Sequence, residues 1–100
     1  MEDTMKAYNV VRFKVKPGQE AKFIEKHKNY PKEPGMEDAV LIKTGDRTFC
    51  LIGKWSNFEA IAAARPRMIS ILDGFRDLLE DLGGGLGVTD PVSGSVVAEL

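Results

Sequence analysis

Cysteine, histidine and tryptophan each occur once in these 100 residues, no long apolar run is present, and neither sign of charge dominates. Each scarcity removes a class of function. Cys50 has no partner for an internal disulfide, and one histidine beside one cysteine cannot assemble a structural zinc site, so a reduced, buried thiol is expected. Lysine and arginine number 14 against 15 acidic residues, a net charge of −1, so there is no basic field to neutralise a phosphate backbone and no nucleic acid is expected as partner. No segment approaches the run of about 18 apolar residues that crosses a membrane, and residues 1–6 are polar without a leader's apolar core. The expectation is a cytoplasmic protein with no membrane partner. A single histidine also leaves no local Ser-His-Asp or Cys-His set, which places hydrolase chemistry low.

What remains is an ordinary globular composition, 43% hydrophobic and 29% charged, in a length that suits one domain over residues 1–100. Over residues 6–16, Val11, Phe13 and Val15 alternate with Val10, Arg12 and Lys14, a strand with one apolar face. Pro17-Gly18 stops it. Residues 19–30 carry Ala21, Phe23, Ile24 and His27 at helical spacing, and two prolines and a glycine make residues 30–35 a loop. Residues 39–44 and 48–55 are rich in strand-forming side chains and joined by Gly45-Asp46-Arg47, a hairpin signature. Ser56 with Glu59 three residues on spells a capping box, so a helix is expected to start there and to kink or restart at Pro66. The stripe Met68, Ile71, Leu72, Phe75, Leu78, Leu79 and Leu82 predicts helix as far as Gly83-Gly84-Gly85. Beyond it the pattern predicts a short strand, a turn at residues 90–94 and a final strand at residues 95–99.

The order β-α-β-β-α-β defines an α+β, ferredoxin-like arrangement, a four-stranded antiparallel sheet with both helices on one face. The other face, carrying Val10, Arg12 and Lys14, is then uncovered, and a second copy of the chain is the expected cover: a homodimer.

The run Val15-Lys16-Pro17-Gly18-Gln19-Glu20 leading to Phe23, the strand at residues 49–55, and Trp55-Ser56-Asn57-Phe58-Glu59-Ala60 together resemble the dimeric α/β-barrel superfamily, and within it the antibiotic-biosynthesis-monooxygenase-like domains. The resemblance spans nearly the whole chain. It implies that two sheets face each other in a dimeric α/β barrel, and that the domain is a cofactor-independent monooxygenase-like protein acting on a small aromatic or hydrophobic compound. A non-catalytic ligand-binding or stress-related dimeric module, and a haem-binding protein, are the alternatives it leaves open. Where many such domains place a histidine beyond the tryptophan, this chain has Arg65-Pro66.

Four residues stand out as candidates. His27, the only histidine, lies on the apolar stripe of its helix, where an imidazole can serve acid-base chemistry or ligate haem iron, or else sits satisfied in the core. Trp55 offers an indole N–H and a flat surface to an aromatic substrate, or packs in the core. Tyr8 and Arg12 share a strand face and offer a phenol and a permanent cation to an anionic or enolised ligand, or else are exposed at a strand edge or form an ion pair between subunits. No cofactor and no metal site is expected. Arg65 and Arg67 flank Pro66, where they are solvated surface arginines, or else their charge asks for carboxylate neighbours or an anionic ligand. The glycines of residues 83–87 follow a helix rather than a strand and lack a following Lys-Ser or Lys-Thr, so they are no phosphate loop.

Overall fold

A computed structural model of the chain describes residues 5–100; residues 1–4 of the polar N-terminal segment lie outside the described residues. The elements run β1 (Ala7–Lys14), α1 (Glu20–Lys28), β2 (Met36–Gly45), β3 (Thr48–Trp55), α2 (Phe58–Asp73), a 3-10 turn (Arg76–Leu78) and β4 (Asp90–Ser95). The sheet order is β2-β3-β1-β4, with every neighbouring pair antiparallel. This is the α+β, ferredoxin-like fold, with α1 and α2 packed on one face of the sheet.

The parity of β1 decides what goes where. Ala7, Asn9, Phe13 and Val15 are buried under the helices and Val11 is half-buried with them, while Tyr8 and Arg12 are exposed on the far side. The inner face holds two packed ends. One joins Phe13, Val15, Phe23, Phe49, Phe75, Leu78 and Leu79; the other joins Ala7, Met36, Trp55, Ile61 and Ala64. Phe23 meets Phe13 and Phe49 at ring-centroid separations of 5.3 and 5.1 Å, within the range where edge and tilted contacts add to apolar burial.

At the second end the fully buried Trp55 must satisfy its indole N–H, and Nε1 donates to Asn9 Oδ1 at 2.7 Å across the β1–β3 pair. Gly53, which faces Asn9 in the register, makes room for this bond. A Cβ at Gly53 would stand 2.9 Å from Trp55 Nε1 and closer still to Asn9 Oδ1.

Besides β2, which begins at Met36 rather than at residue 39, element boundaries depart from the sequence pattern in the following places. The N-cap of α2 is Asn57 and not Ser56. Its extended backbone (φ −164°, ψ 172°) lets Oδ1 accept from Ala60 N at 2.8 Å, so no capping box forms at Ser56. The helix runs straight through Pro66 without restarting, because Pro66 and Ala62 are both exposed and water can take the carbonyl that proline leaves unpaired. It ends at Asp73 with Gly74 as its cap, well short of the glycine triplet. Leu78 and Leu79 keep their apolar role but reach the core through the 3-10 turn, tied to the end of β1 by Lys16 N to Leu78 O (2.8 Å) and Glu80 N to Lys14 O (2.7 Å). The last strand is residues 90–95, where a turn was expected; no strand forms at residues 86–89, and none continues over residues 96–99. Pro91 is tolerated because β4 is an edge strand and a missing ladder donor can point outward.

The Trp55–Asn9 bond and the space over Gly53 generate a test. Gly53→Ala is expected to cost about 2 kcal/mol, read as a fall of about 8–16 °C in the thermal midpoint. Trp55→Phe, which strands Asn9 Oδ1, is expected to cost about 1–3 kcal/mol. An unchanged midpoint in Gly53→Ala would remove the glycine from this role.

Candidate functional site

Between the two packed ends the sheet and α2 do not close on each other. Inner-facing Asn9 and Val11 of β1 and Leu51 of β3 lie below, and Ile61, Arg65, Met68 and Leu72 of α2 lie above. The space they leave is a cavity of about 330 Å³. Phe13 and Phe75 wall it on one side, His27 and Tyr30 on another, and Thr89, Pro91, Val92 and Ser93 from β4 and its approach, with Ile69 of α2, complete it. The volume falls at the small end of ligand pockets, and the wall is mainly apolar with a few polar groups from different elements, the usual make-up of a small-molecule site.

The polar groups are held in defined states. Because an indole N–H can only donate, the Asn9 oxygen faces Trp55 and the Asn9 NH2 group remains as a donor on a residue that lines the cavity. His27 Nδ1 lies 3.0 Å from the Phe23 carbonyl, which can only accept, so Nδ1 carries the proton and Nε2 carries the lone pair. The ring sits among Phe23, Phe75 and Phe13 at centroid distances of 4.4, 4.9 and 5.8 Å, with Tyr30 stacked at 6.1 Å. Burial lowers the His27 pKa from its ordinary 6.5, against an opposing pull from the Phe23 carbonyl, so the imidazole is neutral at neutral pH. Its Nε2 is buried with no hydrogen-bond partner among the described residues. Burial also raises the Tyr30 pKa, helped by the Glu33 carboxylate, and the phenol stays a donor. Glu33, itself buried, pairs with Arg67 and ties the loop before β2 to α2.

The structure separates the four residues singled out from the sequence. His27 is in the cavity wall. Trp55 is fully buried at the packed end, its N–H taken up by Asn9, and it reaches the cavity only through that neighbour. Tyr8 and Arg12 lie on the opposite face of the sheet, where Arg12 Nη2 binds Asp90 Oδ2 at 2.7 Å. The pairing of Tyr8 with Arg12 on one face therefore holds, but that face is not the cavity's. Asn9, Tyr30, Thr89 and Ser93 line the site without having stood out. For Asn9 a signal exists: it is the one amide in the inward series 7, 9, 11, 13, 15. Thr89 and Ser93 were hidden by the turn-like composition of β4. Among the described residues no three side chains of the His, Cys, Asp or Glu type gather to hold a metal ion, and no helix is long and apolar enough to cross a membrane.

The state of His27 fixes a pH dependence. Its folded pKa lies below the unfolded 6.5, so as pH falls under that value the unfolded chain takes up a proton that the folded chain resists. The stability linked to neutral His27 is complete above pH 6.5 and is lost as pH falls towards the folded pKa. Thermal midpoints between about pH 7.5 and 5.5 are expected to fall more steeply for the natural chain than for His27→Phe. That variant removes the orphaned Nε2 while keeping a flat ring. Equal slopes would assign the acid sensitivity to other groups.

No protein-family model matches the sequence, and no curated protein matches it either. Solved structures do match in fold. A protein from Nitrosomonas europaea named as an antibiotic biosynthesis monooxygenase aligns with a TM-score of 0.72 at 15% identity, over 97% of this chain and 95% of that one. One of the same description from Chloroflexus aurantiacus aligns with a TM-score of 0.70 at 14% identity, over 95% and 96% of the two chains. SnoaB, a cofactor-independent oxygenase from Streptomyces nogalater, aligns with a TM-score of 0.67 at 18% identity, again over 95% and 96%. The chain thus has, over almost its whole length, the ferredoxin-like fold of the antibiotic-biosynthesis-monooxygenase-like proteins.

Proposed function

We propose that this chain binds a small aromatic or hydrophobic compound in the cavity and oxidises it with O2 without a cofactor. The observation that carries the reading is the meeting, in one apolar chamber, of a neutral imidazole whose tautomer is fixed and an amide donor whose orientation is fixed. The fold shared with SnoaB and with two proteins named as monooxygenases supports it.

A phenol or quinol supplies its own electrons. His27 Nε2, buried in the unliganded chain, takes the hydroxyl proton once the ring turns to face the ligand, and the Asn9 NH2 group and the Tyr30 hydroxyl donate to the phenolate oxygen that results. The electron-rich ring attacks O2. One oxygen atom stays on a ring carbon as a quinone carbonyl, and the other leaves as water with the phenolic proton and the hydrogen lost from that carbon. Apolar walls raise the worth of each hydrogen bond to the phenolate. Trp55 serves this scheme by orienting Asn9.

The second half of the proposal is a homodimer. On the sheet face opposite the helices, the register aligns Val92, Val10, Ile52 and Val40 in one row across all four strands. Val92 and Val40 are 61% and 49% exposed, and Ile42 and Tyr8 are exposed beside them. An aliphatic row spanning a sheet, with the Arg12–Asp90 pair alongside, fits a second copy of the same face. Tyr8 and Arg12 then belong to the subunit boundary.

Two measurements test these readings. Substrate-dependent O2 uptake by metal-free protein, screened over several phenols and quinols, is expected to drop about 100-fold in His27→Phe and to fall in Asn9→Ala. Ligand binding without uptake would instead favour a non-catalytic binding module, and neither binding nor uptake would end the cavity reading. Light scattering after size exclusion is expected to give twice the 11.0 kDa chain mass. Val40→Lys with Val92→Lys is expected to return it to one chain, and a natural chain that is already monomeric would overturn the dimer.

A further inference from the structure

Five arginines occur in the chain, and four of them have a carboxylate within salt-bridge distance: Arg12 with Asp90, Arg47 with Glu80, Arg67 with Glu33 and Arg76 with Asp73. Among the described residues Arg65 has none. It is also the arginine that lines the cavity, and among the described residues no aspartate or glutamate lines the cavity with it. Arg65 is exposed, so it stands where the chamber meets solvent, on the middle of α2. One of its terminal nitrogens, Nη2, donates to Ser93 Oγ at 3.2 Å, and its guanidinium lies 5.9 Å from the Phe58 ring centroid. Serine and ring hold the guanidinium in place without neutralising it. Its remaining N–H donors have no acidic partner, and Thr89 adds a hydroxyl to the same wall.

We propose that Arg65 reads a carboxylate on the ligand, so that the compound this chain takes is an aromatic acid, with its flat apolar body in the chamber and its carboxylate at the Arg65–Ser93 rim. The inference rests on the cavity being a ligand site and adds the class of ligand. A guanidinium offers two parallel N–H donors to a carboxylate, and a charged hydrogen bond is about twice as strong as a neutral one. The rim cation also sets direction: the acid end stays at the mouth and the ring system lies in the apolar chamber.

The test uses a matched pair of fluorescent probes, 2-naphthoate and 2-naphthalenemethanol, titrated into the unaltered 100-residue chain at low ionic strength. The expected result is binding of both, with naphthoate tighter by about tenfold. Arg65→Gln is expected to bring the ratio of the two affinities to about one, and Arg65→Lys, which keeps the charge but loses the fork, to an intermediate value. A thermal midpoint for each variant establishes that it is folded. If the natural chain binds both probes equally, or if Arg65→Gln keeps the preference, the carboxylate inference is wrong while the cavity reading stands. If neither probe binds, the cavity reading fails and takes this inference with it.

Discussion

The hydrogen bond from Trp55 to Asn9 is the constraint on which both the fold and the site depend. An indole in a closed core must find an acceptor for its N–H. Here the acceptor comes from the neighbouring central strand, and the contact is made possible by the missing side chain of Gly53. The bond sews β1 to β3 at one end of the sheet. It also decides which way the Asn9 amide faces, because only the oxygen can receive the indole proton. The donor that remains to the cavity is thus a by-product of satisfying the core.

The cavity follows from packing that is dense at two ends and absent between them. Phenylalanines fill one end, tryptophan with small residues fills the other, and β1 passes from one to the other through Asn9 and Val11, which no residue of α2 fully covers. A further aromatic on the inner face would have closed the gap. The orphaned Nε2 of His27 belongs to the same account. Leaving a buried polar atom unpaired costs about 1–3 kcal/mol, a cost that a purely structural core would avoid with phenylalanine at this position.

Much of this was legible in the chain, and what was not has identifiable causes. The alternation from Val10 to Val15 gave the face assignment of β1, and the hairpin glycine gave β2 and β3. Asn9 was overlooked because a single amide in an apolar series looks like noise until its partner, 46 positions away, is known. The helix cap was misplaced by one residue because Ser56 and Asn57 are both competent caps, and only the backbone angles choose between them. The end of α2 was overrun because Leu78 and Leu79 keep the helical rhythm while serving a turn. β4 was hidden because Pro91 and Gly94 disguise a strand whose edge position makes them harmless.

The two faces of the sheet are chemically distinct along β1, and only at the edge strand does a residue of the outer row, Val92, also border the chamber. Asn9, Val11 and Phe13 of β1 line the chamber while Tyr8, Val10 and Arg12 face outward, because side chains alternate along a strand. Tyr8 and Arg12, four residues apart, therefore share a face with each other and with no β1 residue of the chamber. A phenol and a cation attractive for substrate chemistry stand on the wrong side of the backbone to meet His27. Their counterparts inside come from elsewhere in the chain: Tyr30 from the end of the first helix, and Arg65 from the middle of the second. The site is thus assembled by tertiary contacts across the gap between helices and sheet, and strand spacing alone does not predict its membership.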